Sequence, residues 1–236
     1  MKPAILFDLG NTLVRYYRAD QFEPILRVAI ADLLTELAGR GLARVTFDEA
    51  LARALAENRE AADYRFTPMA ERFERIFGIP LGDDAPLARG LCKIFLKPIF
   101  AVGRVYVDSL TALDRLRSAG HPLAIVSNAP WGSPPELWRR ELGRLGLAGA
   151  VDAVVLCGDT GWRKPARAIF ERAAAAVNRR CAECLFVGDD LHWDVAGSRA
   201  AGMRPILIDR EGREPGHSGE RIENLNRLLE MVDTGP

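Results

Sequence analysis

Lysine is scarce in this sequence. Only Lys2, Lys93, Lys97 and Lys164 are lysines, and the rest of the 32 basic residues are arginines. In a chain that relies on arginine for its positive charge, a lysine inside a motif is less readily explained as a surface residue. The 32 acidic residues balance the basic ones, so the formal net charge is zero. This balance favours neither nucleic acid nor a membrane surface as a partner.

Long hydrophobic runs are absent as well. No N-terminal segment resembles a signal peptide, and no stretch approaches the roughly 20 apolar residues of a membrane-spanning helix. We therefore expect a cytoplasmic protein, in which the four cysteines stay reduced. Cys181 and Cys184 form a single CxxC pair, whereas a structural zinc site needs a second pair of ligands. We interpret this pair as two thiols in a loop between a helix and a strand.

Strand and helix patterns alternate over most of the 236 residues. Short apolar runs predict strands at residues 4–7, 123–126, 153–156, 185–187 and 205–208. Helical spacings predict helices at residues 109–119, 134–145, around 169–173, 195–201 and 222–231. Strands that alternate with helices imply parallel pairing with right-handed crossovers. The predicted fold class is therefore α/β, with a Rossmann-like parallel sheet flanked by helices.

A block of purely helical pattern interrupts this alternation after the first strand. Residues 23–37 carry apolar side chains at helical spacing, and Thr46 with Glu49 is typical of a capping box that opens the next helix. Two more helices are predicted around residues 69–77 and 87–95, and Pro98 is expected to end the run. We therefore predict an all-helical cap domain of residues 16–97, inserted into a core domain of residues 1–15 and 98–236.

Asp8 is the first candidate functional residue. It directly follows the apolar run of residues 4–7, and Gly10, Asn11 and Thr12 after it are residue types of turns and phosphate-binding loops. Open α/β sheets bind their ligands at the carboxyl ends of parallel strands, where Asp8 is expected to lie. Taken alone, Asp8 is equally well explained as a residue that caps a turn.

Three later segments supply groups that complete a site with Asp8. Ser127 ends the strand at 123–126, Lys164 precedes a helix, and Asp189 and Asp194 follow the strand at 185–187. Together they are suited to phosphoryl transfer, with a carboxylate that attacks phosphorus and a hydroxyl and an ammonium that hold its oxygens. The remaining acids suit a magnesium ion, which would neutralise charge on the nucleophile and the phosphate.

The segments FDLGNTL, IVSNAP, GWRKP and VGDDLHWDVAGSRAAGM, in this order, resemble the motifs of the haloacid dehalogenase-like hydrolase superfamily. The chain is similar in particular to the subfamily with a helical, C1-type cap after the first motif, and the resemblance covers its whole length. It implies Asp8 as the nucleophile and Ser127 and Lys164 as groups that hold phosphate and nucleophile. It also implies Thr12 and Asn128 as phosphate-binding residues that support the phosphate and the nucleophile loop by hydrogen bonding. It also implies Mg²⁺ as the cofactor, with ligands from Asp8, the Gly10 backbone carbonyl, Asp189, Asp194 and, through a shared role, Asp190.

Gly10 departs from the family pattern. Phosphatases of this family usually carry a second aspartate there, as general acid for the leaving group and base for water. The backbone carbonyl of Gly10 still suits a magnesium ion, but proton transfer by that side chain, typically worth about 10²–10⁴-fold, is lost. His192, Tyr16 and Tyr17 are candidate substitutes, although each is more readily explained as structural.

Three functions therefore stay open. The first is a magnesium-dependent phosphohydrolase that acts on a small phosphorylated metabolite through an aspartyl-phosphate. The second is a 2-haloacid dehalogenase, although the family's dehalogenases lack the magnesium site that Asp189 and Asp190 retain. The third is a non-catalytic phosphate-binding protein with the same fold. A phosphonatase is disfavoured because its cap carries a Schiff-base lysine, and this chain has none between Lys2 and Lys93.

The cap is expected to select the substrate. Its arginines are candidates to bind a second anionic group, or form a solvated helix face: Arg53, Arg59, Arg65, Arg72 and Arg75. The sequence identifies neither the substrate nor the oligomeric state.

Overall fold

The computed structural model describes residues 2–57, 62–82 and 84–233. Its strands, numbered along the chain, are β1 Ala4–Phe7, β2 Val14–Arg15, β3 Arg104–Val105, β4 Leu123–Ser127, β5 Ala153–Leu156, β6 Cys184–Gly188, β7 Arg204–Ile208 and β8 Arg221–Ile222. The helices are α1 Phe22–Gly39, α2 Phe47–Glu57, α3 Met69–Phe77, α4 Ala85–Val102, α5 Ser109–Ser118, α6 Pro135–Arg144, α7 Cys157–Thr160, α8 Arg167–Ala176, α9 Gly197–Ala200 and α10 Leu225–Asp233. A π-helical turn, Leu191–Ala196, precedes α9.

A six-stranded parallel sheet in the order β5-β4-β1-β6-β7-β8 forms the centre of the fold. β1 lies between β4 and β6, with Phe7 paired to Ile125 on one side and to Val187 on the other. All four residues of β1 are buried, which explains why its sequence is apolar throughout rather than alternating. The predicted α/β fold class is thus confirmed.

The helical block between β1 and β4 largely follows the predicted pattern. The capping box is present, because the Thr46 hydroxyl accepts the Glu49 N–H at 3.3 Å while Glu49 accepts the Thr46 N–H at 2.8 Å. Pro98, however, does not end a helix: α4 runs through it to Val102. Proline removes one helical hydrogen bond, but the packing of α4 against α1 through buried side chains such as Phe95 outweighs that loss.

Other differences concern elements too short to leave a periodic pattern. β2, β3 and β8 have two residues each, and the helix predicted at 195–201 is divided into the π-helical turn and α9. Leu110, predicted to point inward on α5, is 42% exposed, and Ala112 is buried in its place. No helix among the described residues is long and apolar enough to cross a membrane.

β2 and β3 join the two ends of the helical insertion. They form a separate antiparallel pair, with Val14 opposite Val105 and Arg15 opposite Arg104. The chain therefore enters and leaves the helical block at one point beside the end of β1. The division into a core of residues 1–15 and 98–236 and a cap of residues 16–97 remains a prediction.

Trp131, in the loop after β4, packs into the helical block. Its ring lies 5.1 Å from that of Phe95 and 6.3 Å from that of Phe22. A second contact is made by backbone hydrogen bonds, from Phe66 to Gly161 at 3.0 Å and from Arg163 to Tyr64 at 2.9 Å. The helical block and the sheet consequently share one continuous hydrophobic core.

Trp131→Ala should therefore destabilise the whole chain. Trp131 is 5% exposed, and truncation of a buried tryptophan typically lowers the free energy of unfolding by about 3–5 kcal/mol. Urea unfolding followed by circular dichroism would measure the change. Trp162→Ala, at a half-buried indole, is the matched control and should cost clearly less. Equal losses in the two variants would contradict the anchoring role of Trp131.

Candidate active site

Three polar residues meet where adjacent parallel strands end. Asp8 follows β1, Ser127 is the last residue of β4, and Asp189 follows β6. Because β4 and β6 flank β1, these strand ends lie side by side at the carboxyl edge of the sheet. The sheet topology therefore brings together groups that are far apart in the sequence.

Lys164 connects the acids of this site. Its ammonium lies 2.5 Å from Asp8 Oδ1 and 2.6 Å from Asp194 Oδ1, and the side chain is almost completely buried. Burial alone would lower the pKa of Lys164, but the carboxylates of Asp194 and Asp8 raise it well above the ordinary lysine value. The two carboxylates thus favour the charged form of the buried ammonium.

Asn128 holds the backbone of Lys164. Its side-chain oxygen accepts the Lys164 N–H at 2.8 Å, and its side-chain nitrogen donates to the Lys164 carbonyl at 3.1 Å. The predicted supporting role of Asn128 is therefore exerted, in this structure, on the lysine loop.

Asp8, Asp189 and Asp194 form a cluster of three carboxylates. One oxygen from each lies within 4.8 Å of the others. Burial, reinforced by the charges of Asp8 and Asp194, raises the pKa of Asp189 to about 8. Burial also raises the pKa of Asp194 to about 7, although Lys164 opposes the shift. One ammonium among three carboxylates leaves an excess of negative charge, and hard oxygen donors at this spacing fit a divalent cation such as Mg²⁺.

Gly188 and Asp190 hold Asp194 in the cluster. A Cβ at position 188 would overlap the Asp194 carboxyl group, so the close approach requires glycine. The Asp190 N–H donates to Asp194 Oδ2 at 3.1 Å. The Asp190 carboxylate itself accepts the N–H groups of His192 and Trp193, both at 2.7 Å, and is not one of the three clustered acids.

The loop after Asp8 is held by a residue that the sequence did not indicate. The Arg210 guanidinium donates to the Thr12 carbonyl at 2.8 Å and forms a two-point pair with Asp108 at 3.0 Å. Asp108 also accepts the Leu225 N–H at 2.8 Å, which ties α10 to the same point. The Thr12 hydroxyl, predicted to form a hydrogen bond, is buried and has no partner among the described residues. No local pattern identifies Arg210, because its partner is distant in the sequence.

A cavity of about 190 Å³ opens beside the acids, between the sheet and the helical block. Gly10, Ser127 and Asn128 form its floor, and its walls include Tyr16, Tyr17, Ile99 and Trp138. A Cβ built on Gly10 would have no heavy atom within 4 Å, and Gly10 is not in the left-handed backbone region. The position that carries an acid in the family pattern therefore has room for one here.

The cap arginines, which are candidates for binding an anionic group or forming a solvated helix face, contact other protein groups in the structure. Arg53 donates to the Ile76 carbonyl at 3.2 Å, Arg72 donates to the Glu57 carbonyl, and Arg75 pairs with Glu57 at 2.7 Å. Arg65 pairs with Asp63 and lies 4.8 Å from the Trp162 ring. None of these four lines the cavity. Arg59 lies outside the described residues.

The acid cluster predicts that a divalent cation stabilises the protein more at higher pH. The pKa of Asp189, about 8 in the ion-free folded state, exceeds the ordinary aspartate value of about 3.9. The stability contributed by this carboxyl group is therefore present at low pH and lost as the pH rises through 8. A cation that binds the ionised form offsets the loss. Saturating Mg²⁺ or Mn²⁺ should thus raise Tm more at about pH 8.5 than at about pH 6, as measured by differential scanning fluorimetry.

Two neighbouring aspartates provide matched controls for this experiment. Asp189→Asn should abolish most of the cation-induced shift, because it removes a clustered carboxylate. Asp190→Asn should retain it, since an amide oxygen still accepts the two N–H groups of the turn. A shift that is independent of pH, or lost equally in both variants, would contradict the assignment.

Comparison with known proteins supports this geometry. The chain is 28% identical to a ribulose-1,5-bisphosphate 5-phosphatase of Halopiger xanaduensis over 99% of this chain and 96% of that protein. It is 27% identical to a glyceraldehyde 3-phosphate phosphatase of Methanothermobacter thermautotrophicus, over 89% of this chain and 87% of that one. The fold matches a HAD phosphatase from Thermococcus onnurineus with a TM-score of 0.70 and 27% identity, over 98% of both chains.

The match at family level extends over most of the chain. The model of the haloacid dehalogenase-like hydrolases matches residues 2–202, which include Asp8, Ser127, Lys164, Asp189 and Asp194. Since this segment contains the insertion as well as the parallel sheet through β6, the chain belongs to the haloacid dehalogenase-like hydrolase family.

Proposed function

We propose that the chain is a magnesium-dependent phosphohydrolase that removes phosphate from a small phosphorylated metabolite through an aspartyl-phosphate on Asp8. The observation that carries the proposal is the cluster of Asp8, Asp189 and Asp194, two of which pair with the buried Lys164. The names of the relatives support the same reaction, since both of those described above are phosphatases.

Each residue of the site has a defined task in this reaction. An oxygen of Asp8 attacks phosphorus, the bond from phosphorus to the ester oxygen breaks, and water later hydrolyses the acyl phosphate. Lys164 orients Asp8 and, with the Ser127 hydroxyl, holds oxygens of the phosphoryl group. Asp8, Asp189, Asp194 and the Gly10 carbonyl would hold Mg²⁺, which supplies positive charge to the nucleophile and the phosphate.

The clustered carboxylates support a phosphohydrolase over the two alternatives. A dehalogenase attacks carbon and needs no cation, so two further buried acids beside its nucleophile would only destabilise the protein. A protein that merely binds phosphate gains nothing from a carboxylate in the phosphate position, because the two anions repel one another. Both objections disappear when a divalent cation is bound and Asp8 acts as a nucleophile.

Asp8→Asn tests the nucleophile. An amide is a much poorer nucleophile than a carboxylate, and loss of a covalent nucleophile lowers kcat on the order of 10⁶-fold. Phosphate release from acetyl phosphate should therefore fall to the background rate, while Tm is maintained because the neutral amide also relieves repulsion within the cluster. Undiminished release by Asp8→Asn, or by the wild type in excess EDTA, would refute the proposed function.

Gly10→Asp tests the missing proton donor. The side chain has room, and a positioned acid is typically worth about 10²–10⁴-fold for a leaving group that must be protonated. Turnover of ethyl phosphate should rise relative to that of acetyl phosphate, since acetate leaves readily as the anion. Gly10→Asn is the matched control of similar size and should leave the ratio unchanged. A folded Gly10→Asp variant with the wild-type ratio would show that protonation does not limit turnover.

A further inference from the structure

Tyr64 has an unfavourable backbone conformation in the segment between α2 and α3. Its φ angle is 60°, in the left-handed region that bulky residues rarely adopt. Such a conformation persists only where the surrounding contacts outweigh its cost. The residues that Tyr64 touches across the molecule therefore show what holds it in place.

The backbone of Tyr64 is bound to the segment that leads into Lys164. Its carbonyl accepts the Arg163 N–H at 2.9 Å. The adjoining residues extend this contact, because Arg65 and Trp162 are paired as in an antiparallel sheet. Since Arg163 immediately precedes Lys164, the helical insertion restrains the backbone from which the ammonium projects.

The side chain of Tyr64 packs on a different segment, the π-helical turn that contains Asp194. The ring lies edge-on to that of Trp193, with the centroids 5.8 Å apart, and its centroid is 6.0 Å from that of His192. The hydroxyl oxygen is 3.4 Å from His192 Nε2, which is long for a hydrogen bond. The ring thus contributes more to this contact than the hydroxyl does, and Trp193 immediately precedes Asp194.

The two segments that Tyr64 contacts carry an ion pair of the candidate active site. The Lys164 ammonium lies 2.6 Å from Asp194 Oδ1. The residues that precede these two also meet, since the Arg163 guanidinium lies 5.9 Å from the centroid of the Trp193 ring. Tyr64 contacts both of these preceding residues and so lies at the junction of the two segments.

We propose that Tyr64 is a positioning residue, which sets the geometry of the Lys164–Asp194 pair when the helical insertion is seated on the sheet. The proposal rests on the phosphohydrolase function proposed above. Asn128 and Asp190 restrain Lys164 and Asp194 from the sheet side, and Tyr64 adds a restraint from the insertion that both segments share. Tyr64 is not one of the described residues that line the 190 Å³ cavity, so it acts on the reaction through this pair.

A small displacement of the pair is sufficient for a large effect. Lys164 orients the nucleophile, and Asp194 is one of the three clustered carboxylates, so a shift of either group alters the attack on phosphorus and the cation site. Misplacement by about 1 Å lowers a rate by up to about 10²-fold. Loss of an outer residue that orients a metal ligand typically weakens metal binding by about 10–100-fold.

Tyr64→Leu tests the proposal because it removes the ring that packs on the turn. We expect the Kd of Mn²⁺, measured by isothermal titration calorimetry, to rise about tenfold, the lower end of that range, because Tyr64 contacts neighbours of the ligands. The kcat for acetyl phosphate in saturating Mg²⁺ should fall by roughly 10–10²-fold. Tyr64→Met, which also lacks a ring, should show the same losses and keeps the test decisive if Tyr64→Leu is unfolded.

Tyr64→Phe and Arg65→Gln are the matched controls. Tyr64→Phe keeps the ring and loses only the hydroxyl at 3.4 Å, so both constants should stay within about threefold of the wild type. Arg65 lies in the same segment, with its guanidinium 4.8 Å from the Trp162 ring, and contacts the lysine segment alone. Arg65→Gln should likewise stay within about threefold. Wild-type Kd and kcat in Tyr64→Leu and Tyr64→Met, or losses as large in either control, would overturn the role of Tyr64.

These outcomes are distinct from failure of the proposed function. If the wild type binds Mn²⁺ but releases no phosphate from acetyl phosphate, the phosphohydrolase proposal is overturned, and the Kd comparison alone decides whether Tyr64 positions the acid cluster. If the wild type neither binds Mn²⁺ nor releases phosphate, both proposals are overturned. If the wild type is active and the two ringless variants keep its Kd and kcat, only the inference about Tyr64 is overturned.

Discussion

The contact between the Lys164 ammonium and the carboxylates of Asp8 and Asp194 is the interaction on which the rest of the site depends. Three clustered acids would repel one another, and a buried charge without a partner costs several kcal/mol. Lys164 compensates for part of this repulsion at 2.5 and 2.6 Å and at the same time orients Asp8. What it leaves uncompensated is the negative charge that favours a divalent cation. Because one ammonium faces three carboxylates, the pairing compensates only part of their repulsion, and the cluster suits a divalent cation.

The helical insertion contributes in a different way. Arg53, Arg72 and Arg75 bind partners within the block, so they do not extend the electrostatics of the acid cluster. The insertion instead contributes Tyr16 and Tyr17 to the wall of the cavity, beside Ile99 and Trp138. Trp131 and the backbone bonds of Tyr64 and Phe66 hold this wall against the sheet. The charged groups thus lie on the sheet side of the cavity, and the helical side supplies mainly apolar contacts.

Much of this arrangement could be predicted from the sequence, because the strand ends carry their own signals. Asp8 and Asp189 follow short apolar runs, and a parallel sheet brings such ends together whatever lies between them. The sequence patterns gave a wrong prediction where long-range packing outweighs the local preference of a residue. Pro98 lies inside α4 because that helix is stabilised by burial against α1. The sequence likewise gives no sign that the Tyr16 hydroxyl is buried without a partner among the described residues, which only the folded chain reveals.

Arg210 links the C-terminal part of the chain to the loop after Asp8, and it belongs to none of the four motifs. Through the Thr12 carbonyl and Asp108 it connects that loop with β3, α5 and α10, although it lies beyond the segment that matches the family model. Arg210 thus connects segments near both ends of the chain beside the carboxyl edge of the sheet. A substitution that removes the Arg210 guanidinium would therefore leave the Thr12 carbonyl without this donor while every motif residue stays the same.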